Sequence, residues 1–265
     1  MPKLRVLSEK FKQLFLSKYD GYWKRSLYGH HENRIYTYYT VEYFFRISYF
    51  SYRFRAFRAV KRLYEKYFKL IESLTGLRLF DGNGKRALDV GCAIGVETRW
   101  LASLGYDVVG LDVSEVVNIA KKLSPRLEFI QGDAHLMPFA SNSFDLIVAF
   151  ELFEHLLNPA KFIVELWRLV KLKGIIVIVA ASKSFTRPFY DFIHKEEKTH
   201  TNLRGPGETV KIFRKVFSNV VMFTRLLLPI PPHLLNRYFV IYNAPEFLAD
   251  DYILVAWNKI VSRKR

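Results

Sequence analysis

The segment that decides the fold reads LDVGCAIG, from Leu88 to Gly95. Its apolar first half is typical of a strand buried on both faces, and it leads directly into a short loop of small residues. Gly91, Ala93 and Gly95 present little or no side chain there, so a ligand can approach the backbone. The spacing differs from the Gly-x-Gly-x-x-Gly pattern of dinucleotide-binding loops, because the middle position is alanine and the last glycine comes one residue early. A pyrophosphate site is therefore disfavoured.

Strand and helix patterns alternate after this segment, as in a parallel sheet with crossover helices. The sequence predicts strands at 86–90, 107–111, 127–130, 144–149 and 174–180, and helices at 94–104, 115–122 and 159–171. Two later strands, at 220–227 and 252–257, are separated by a proline-rich loop without an obvious crossover helix. They can pair antiparallel at one edge of the sheet. The predicted fold class is α/β, with a doubly wound, mostly parallel seven-stranded sheet.

The first 80 residues differ in composition from the rest of the chain. They carry 17 Lys and Arg against 6 Asp and Glu, a net charge of +11 out of +16 for the whole chain. Apolar residues fall at helical spacing from 41 to 74 with cations between them, which predicts a long amphipathic helix, and a shorter helix is predicted around 10–18. We expect an aromatic, basic helical extension over residues 1–80, which covers a substrate or forms an interface, and a ligand-binding domain over residues 81–265.

Cysteine content and hydropathy bound the cellular setting. The chain has one cysteine, Cys92, so an intrachain disulfide and a cysteine-rich metal site are excluded. No apolar run reaches the roughly 18 residues that a membrane-spanning helix needs. The first residues lack the continuous apolar region of a signal peptide. We therefore expect a soluble, cytoplasmic protein.

Acidic residues stand at the ends of the first three predicted strands. Asp112 closes the second strand, where a carboxylate can accept hydrogen bonds from both ribose hydroxyls of a nucleoside. Asp133 follows the third strand in Gly132-Asp133-Ala134, where it can meet the amino group of adenine. The alternatives are a helix cap at Asp112 and a turn residue at Asp133. Together with Asp89, these acids form a line across the sheet.

Several segments in this order resemble the class I S-adenosylmethionine-dependent methyltransferases, and within them the group with the small-molecule methyltransferase domain often called type 11. The segments are LDVGCAIG at 88–95, GLDVS at 110–114, GDA at 132–134, MPF at 137–139, SFDLI at 143–147 and FEHL at 153–156. The resemblance covers residues 86–182 well and the last third only as a strand pattern. Residues 1–80 lie outside it.

The resemblance implies that residues 81–265 form a methyltransferase domain with S-adenosylmethionine as cofactor. The methionine part of the cofactor would lie against Asp89, Gly91, Cys92 and Gly95, and the sulfonium would lie near Phe150. The ribose would bind Asp112. The adenine would lie between Val113 on one side and Asp133 and Ala134 on the other. The sequence departs from the family at Ala93, where many members have glycine. The alanine leaves less room for a ligand.

Methyl transfer from a sulfonium is a direct, in-line displacement, so the protein mainly has to position the reactants. A general base is needed only when the accepting atom carries a proton. His155, which follows Glu154 after the fourth strand, and His200, in a polar segment that would overhang the methyl group, are the candidate catalytic residues. Structural roles are the alternative for both. We predict no metal site, because no helix pattern fixes two ligands of the polar segment 194–200 on one face.

The end of the fourth strand bears on the methyl acceptor. It reads AFEL at 149–152, which differs from the Asn/Asp-Pro-Pro-aromatic tetrapeptide of methyltransferases that act on exocyclic amino groups of bases. Methylation at carbon 5 of a pyrimidine needs a cysteine outside the cofactor loop, and none exists. A small-molecule or lipid-like acceptor remains.

The N-terminal region leaves alternatives open. Its cations and aromatic rings can bind RNA, which would make the protein an RNA methyltransferase. They can also attach the chain to an anionic membrane surface, or pair two copies of the chain in a homodimer. A methyltransferase-like binding protein without turnover is the alternative from a different functional class.

Overall fold

The computed structural model describes residues 56–184, 202–229 and 238–259. Its helices are α1 (Ala56–Thr75), α2 (Val96–Ser103), α3 (Val117–Leu123), α4 (Pro159–Leu169) and α5 (Pro206–Phe213). Its strands are β1 (Arg86–Val90), β2 (Asp107–Asp112), β3 (Glu128–Gln131), β4 (Phe144–Phe150), β5 (Val170–Ala181), β6 (Phe217–Pro229), β7 (Tyr238–Tyr242) and β8 (Asp251–Lys259). The predicted helix at 10–18 and the first part of the predicted helix at 41–74 lie outside the described residues.

All eight strands belong to one sheet, in the order β3-β2-β1-β4-β5-β8-β6-β7. The strands from β3 to β5 in this order are parallel, whereas β8 is antiparallel to both β5 and β6. Leu88 in β1 lies opposite Val109 in β2 and Ile147 in β4, so the carboxyl ends of these strands reach the same edge. The α/β class and the seven predicted strands are confirmed.

The eighth strand, β7, lies within the stretch that the sequence predicted as a proline-rich loop. It pairs antiparallel with β6 from Arg225 opposite Tyr242 to Pro229 opposite Tyr238. Without β7, β6 would be the edge strand of the sheet, with unpaired N–H and C=O groups that a neighbouring segment can bind. The residues of β7, YFVIY, are all aromatic or β-branched, as strands favour, but the prolines before them indicated a loop.

Helices cover both faces of the sheet. The core on one face contains Leu88 and Val90 from β1, together with Phe162 from α4 and Phe213 from α5. Side chains alternate along a strand, so Asp89 points to the opposite face, where α2 and α1 lie. Trp100 of α2 and Phe68 of α1 pack edge to face there, with ring centroids 4.6 Å apart. The doubly wound arrangement is thus confirmed, and no helix among the described residues is long and apolar enough to cross a bilayer.

A buried ion pair ties α1 to the antiparallel edge of the sheet. Arg225 on β6 donates two hydrogen bonds to the carboxylate of Asp251 on β8. The same guanidinium donates to the hydroxyl of Tyr67 in α1 and lies over its ring, 4.5 Å from the centroid. Burial raises the pKa of Asp251 to about 6, although Arg225 opposes this shift. Tyr67 therefore belongs to the same compact unit as the sheet, which runs from Tyr67 to Arg265. The boundary near residue 80 stays a prediction.

Candidate functional site

The loop after β1 requires glycine at two positions. Gly91 has φ +79° and Gly95 has φ +74°, in the left-handed region that favours glycine. A Cβ atom at Gly95 would lie 2.5 Å from the ring of Phe129, and one at Gly91 would lie 3.2 Å from the side chain of Leu152. The Phe129 ring thus leaves no room for a side chain at Gly95, whereas at Gly91 the side chain of Leu152 would have to shift by a few tenths of an ångström. The predicted small-residue loop is present at the carboxyl end of β1.

Two residues with side chains adopt the same unusual backbone conformation at this edge. Ala93 has φ +45° and Glu151, directly after β4, has φ +51°. The other three non-glycine residues with positive φ in the described ranges are asparagines, which tolerate this region better. The backbone at Ala93 is held by the hydrogen bond that its N–H donates to Oδ2 of Asp112, at 2.9 Å. Strained residues of this kind cluster at functional sites.

Asp112 lies at the end of β2 and binds the loop. Besides the Ala93 amide on Oδ2, it accepts hydrogen bonds on Oδ1 from the N–H (2.8 Å) and the hydroxyl (2.5 Å) of Ser114. Helix α3 begins at Val117 without a side-chain cap, so the helix-cap alternative for Asp112 is wrong. Its carboxylate stands between two loops at the edge where the ribose was predicted.

Asp89 is buried beneath the loop. Its Oδ2 accepts a hydrogen bond from the hydroxyl of Thr98 in α2, at 2.6 Å. Burial raises the pKa of Asp89 well above its usual range, and the nearby carboxylates of Glu97 and Asp112 raise it further. Asp89 therefore links β1 to α2. The carboxylates of Glu97 and Asp112 place negative charge around the loop.

Cys92 contributes its backbone to the loop and its side chain to the core. The amides of Gly91 and Cys92 donate to the carbonyl of Leu111, at 2.7 and 3.0 Å. The side chain packs in a small apolar cluster with Val117, Ala120 and Phe129. Burial raises the pKa of the Cys92 thiol, and the acids Asp89 and Asp112 raise it further. The thiol stays protonated and is no nucleophile.

The ends of β2 and β3 form the predicted adenine side of the site. Val113 is 52% exposed, and its carbonyl accepts a hydrogen bond from Nε2 of Gln131 at 3.1 Å. The side chain of Asp133 is 59% exposed and binds His135, whereas Ala134 is buried. The sequence predicted the two acids and Val113 but missed Gln131 and His135. No spacing rule marks these two residues, because their roles depend on where the loops fold.

The turn after β4 carries the other predicted residues. Phe150 is buried at the end of β4, and the short helix Phe153–His155 follows it. Glu154 is buried, with Oε1 accepting the amide of Ala181 from β5 at 3.1 Å. Its Oε2 has no hydrogen-bond partner within the described structure. Glu154 therefore joins β4 to β5 and does not face solvent.

The two candidate catalytic histidines lie in different parts of the chain. His155 is partly buried on the turn after β4, and its role as a base stays a prediction. His200 lies outside the described residues. Asn202, two residues further on, donates its backbone N–H to the carbonyl of Glu154 at 2.9 Å. No group of three metal-binding side chains occurs within the described ranges.

Part of the chain is similar to known proteins. A family model described as a methyltransferase domain matches residues 88–178. The demethylmenaquinone methyltransferase of Renibacterium salmoninarum is 36% identical over 107 residues, which cover 40% of this chain and 45% of that protein. The chloroplastic tocopherol O-methyltransferase of Arabidopsis thaliana is 37% identical over 103 residues, which cover 36% of this chain and 30% of that protein. The chain thus spans less than half the length of these relatives.

Solved structures share the fold. A methyltransferase from Archaeoglobus fulgidus superposes with a TM-score of 0.57 at 19% identity, covering 80% of this chain and 98% of that one. A second, from Thermotoga maritima, gives a TM-score of 0.53 at 21% identity, covering 75% of this chain and 95% of that one. The match to a methyltransferase domain over residues 88–178 agrees with the resemblance seen in the sequence, and the solved structures confirm the fold.

Two glycines with the same backbone conformation test the packing of the loop. At Gly76, with φ +72°, an added Cβ would have no atom within 4 Å, whereas at Gly95 it would meet the ring of Phe129. We expect Gly76→Ala to lower the free energy of unfolding by about 1–2 kcal/mol through backbone strain alone. Gly95→Ala should cost about 1–3 kcal/mol more, because overpacking adds to the strain. Urea denaturation of both variants measures the difference, and equal losses would contradict the close packing.

The buried carboxyl of Asp89 predicts a pH dependence of stability. Its pKa is higher in the folded state than in the unfolded chain, so folding favours the protonated form and the wild type loses stability as the pH rises. Asp89→Asn still accepts the Thr98 hydrogen bond but cannot ionise. We expect the stability difference, variant minus wild type, to grow between pH 5 and pH 8, by up to about 1.4 kcal/mol per pH unit. Urea denaturation at both pH values checks this, and a pH-independent difference would refute it.

Proposed function

We propose that the chain binds S-adenosylmethionine at the carboxyl edge of β1, β2 and β3 and transfers its methyl group to a small, lipid-like acceptor. One observation carries the proposal: a loop with glycines at positions 91 and 95 is held against a carboxylate, Asp112, at the end of the second strand, where a ribose binds in such sheets. The family match over residues 88–178 supports it.

The charge around the loop favours this cofactor over a dinucleotide. Asp89, Glu97 and Asp112 lie close enough for each of the other two to raise the pKa of Asp89. S-Adenosylmethionine carries a sulfonium and an ammonium against one carboxylate, so it is a cation. A pyrophosphate would meet like charge at the same place. The residues present therefore fit a cationic nucleoside.

The rest of the edge fits the uncharged parts of the cofactor. Val113 exposes an apolar surface beside Asp112, as the flat face of a purine requires. Asp133, partly exposed after β3, offers a hydrogen-bond acceptor for an amino group. Phe150 closes the site on the side of β4. These residues would hold the adenine, the ribose and the neighbourhood of the sulfur, in the order that the sequence predicted.

When bound, S-adenosylmethionine supplies a methyl carbon made electrophilic by the neighbouring positive sulfur. The chain contributes by orientation: the loop and Asp112 would fix the nucleoside end, and the turn after β4 borders the site on the other side. Positioning of this kind can supply up to about 7–11 kcal/mol of a barrier. His155, on the turn after β4, is our candidate to take the proton when the accepting atom carries one.

The names of the relatives support a lipid-like acceptor. Methyltransferases named for demethylmenaquinone, tocopherol and ubiquinone biosynthesis match this chain at 32–37% identity. Quinones with isoprenoid chains and tocopherols are small aromatic lipids. RNA binding, membrane attachment and self-association were predicted from the N-terminal region, most of which lies outside the described residues. RNA binding, membrane attachment and self-association therefore remain alternatives.

Titration calorimetry with S-adenosylmethionine tests the cofactor site. We expect the wild type to bind, and Asp112→Asn to weaken the affinity by about 10-fold to 100-fold, because hydrogen bonds to a charged group contribute about 1.5–3 kcal/mol. Asp107→Asn is the matched control: Asp107 begins the same strand, and its side chain is 80% exposed. Absence of binding in the wild type, or equal affinity of both variants, would refute the proposed site.

The acceptor class is tested with cofactor labelled in the methyl group. We expect label to appear in a hydroquinone that carries a short isoprenyl chain and not in transfer RNA. The same assay with the hydroquinone in anionic and in neutral vesicles measures whether a membrane surface contributes. Label in RNA alone would favour the RNA alternative, and cofactor binding without transfer to any acceptor would favour a binding protein without turnover.

A further inference from the structure

We propose that His135 is a positioning residue that holds Asp133 towards the 6-amino group of the cofactor's adenine and so makes the site selective for a 6-amino purine. This inference rests on the proposed function, because it concerns the same cofactor. His135 lies just outside the segment GDA at 132–134.

His135 makes two short hydrogen bonds to Asp133, one from its backbone and one from its ring. Oδ1 of Asp133 accepts a hydrogen bond from the backbone N–H of His135 at 2.8 Å and lies 2.7 Å from the ring nitrogen Nδ1. Two bonds from one residue to one oxygen fix the plane of the carboxylate. Within the described structure, the side-chain hydrogen bonds of Asp133 fall on Oδ1, so Oδ2 remains for solvent or a ligand. The side chain is 59% exposed, and a ligand can therefore reach it.

The carboxylate of Asp133 is ionised near neutral pH. Its partial burial raises the pKa, but the two hydrogen bonds from His135 and the charge of Lys161 outweigh this effect, and the net shift is downward. An ionised carboxylate only accepts hydrogen bonds, so Nδ1 of His135 must carry the hydrogen. By the same reasoning, Oδ2 can receive a bond from a 6-amino group but repels a 6-oxo group.

The imidazole is held by packing as well as by this bond. The side chain of His135 is 17% exposed, and its second nitrogen, Nε2, is buried without a hydrogen-bond partner in the described structure. Leaving a buried nitrogen unpaired is unfavourable, and an apolar side chain would avoid the cost. The hydrogen bond between the imidazole and Asp133 is the interaction that offsets this cost.

The opposite wall of the predicted adenine position is fixed in a similar way. The side chain of Gln131 donates to the carbonyl of Val113, and the amide of Gly132 donates to the carbonyl of Asp112 at 2.9 Å. The loop that bears Val113 is thus fastened to the end of β3. An apolar surface at Val113 and an oriented acceptor at Asp133 are the two features that recognise a purine face and its amino edge.

A purely local role for His135 makes a different prediction. Its backbone N–H would keep the turn with Asp133 whatever side chain followed, since that bond does not involve the ring. The hydrogen bond between the imidazole ring and Asp133 is lost in His135→Leu. In His135→Asn, the side-chain amide can replace Nδ1 as donor. Comparing the two variants therefore distinguishes a role of the His135 backbone in the turn from a role of its side-chain hydrogen bond to Asp133.

The experiment compares two ligands by titration calorimetry: S-adenosylhomocysteine and S-inosylhomocysteine, which carries a 6-oxo group. We expect the wild type to prefer the adenosyl ligand by at least about 10-fold, as a hydrogen bond to a charged group implies. His135→Leu should reduce this preference about 5-fold while the affinity for the inosyl ligand stays within about 2-fold. His135→Asn should restore it.

The variant Asp133→Ala completes a double-mutant cycle with His135→Leu. It should abolish the preference, and adding His135→Leu should change nothing further, because His135 acts through Asp133. A wild type that binds both ligands equally, or a His135→Leu variant that weakens both equally or neither, would overturn the inference while leaving cofactor binding intact. A wild type that binds neither ligand would overturn the proposed function, and the inference with it.

Discussion

The hydrogen bond from the amide of Ala93 to the carboxylate of Asp112 joins the loop after β1 to the end of β2, and the site depends on it. The chain has to turn from a buried strand into α2 within a few residues and keep its outer surface free of side chains. Gly91 and Gly95 satisfy this by adopting positive φ, but Ala93 adopts it at a cost in backbone energy. The carboxylate offsets that cost by binding the strained amide, and under the proposed function the same carboxylate binds the ribose.

Negative charge gives this edge its chemical character. Glu97 and Asp112 stand near the buried carboxyl of Asp89, and each raises its pKa by repulsion. A bound cation would relieve that repulsion, whereas a phosphate would increase it. The same geometry, a small-residue loop between a parallel strand and a helix, binds pyrophosphate in dinucleotide-binding proteins, which also carry an acid at the end of the second strand. Under the proposed function, the additional acid Glu97 beside this loop favours a cationic nucleoside.

The turn after β4 likewise combines a strained backbone with a buried polar side chain. Glu151 adopts positive φ without being glycine or asparagine. Glu154 is 1% exposed, yet one of its carboxylate oxygens has no hydrogen-bond partner in the described structure. Asn202, well removed in sequence, donates to the backbone of this turn. The edge of β4 and β5 is thus built by segments that only the tertiary fold brings together.

The sequence by itself determined the parallel sheet, the glycine loop and the acids Asp112 and Asp133, because strand periodicity and strand ends are local properties of the chain. The proline-rich stretch was predicted as a loop and β7 was missed, although its residues, YFVIY, are of the kind that strands favour. Nor did the sequence predict the contacts of His135 and Gln131 or the burial of Glu154. Those follow from distances between loops, which depend on how strands far apart in sequence align, and tertiary structure alone decides that alignment.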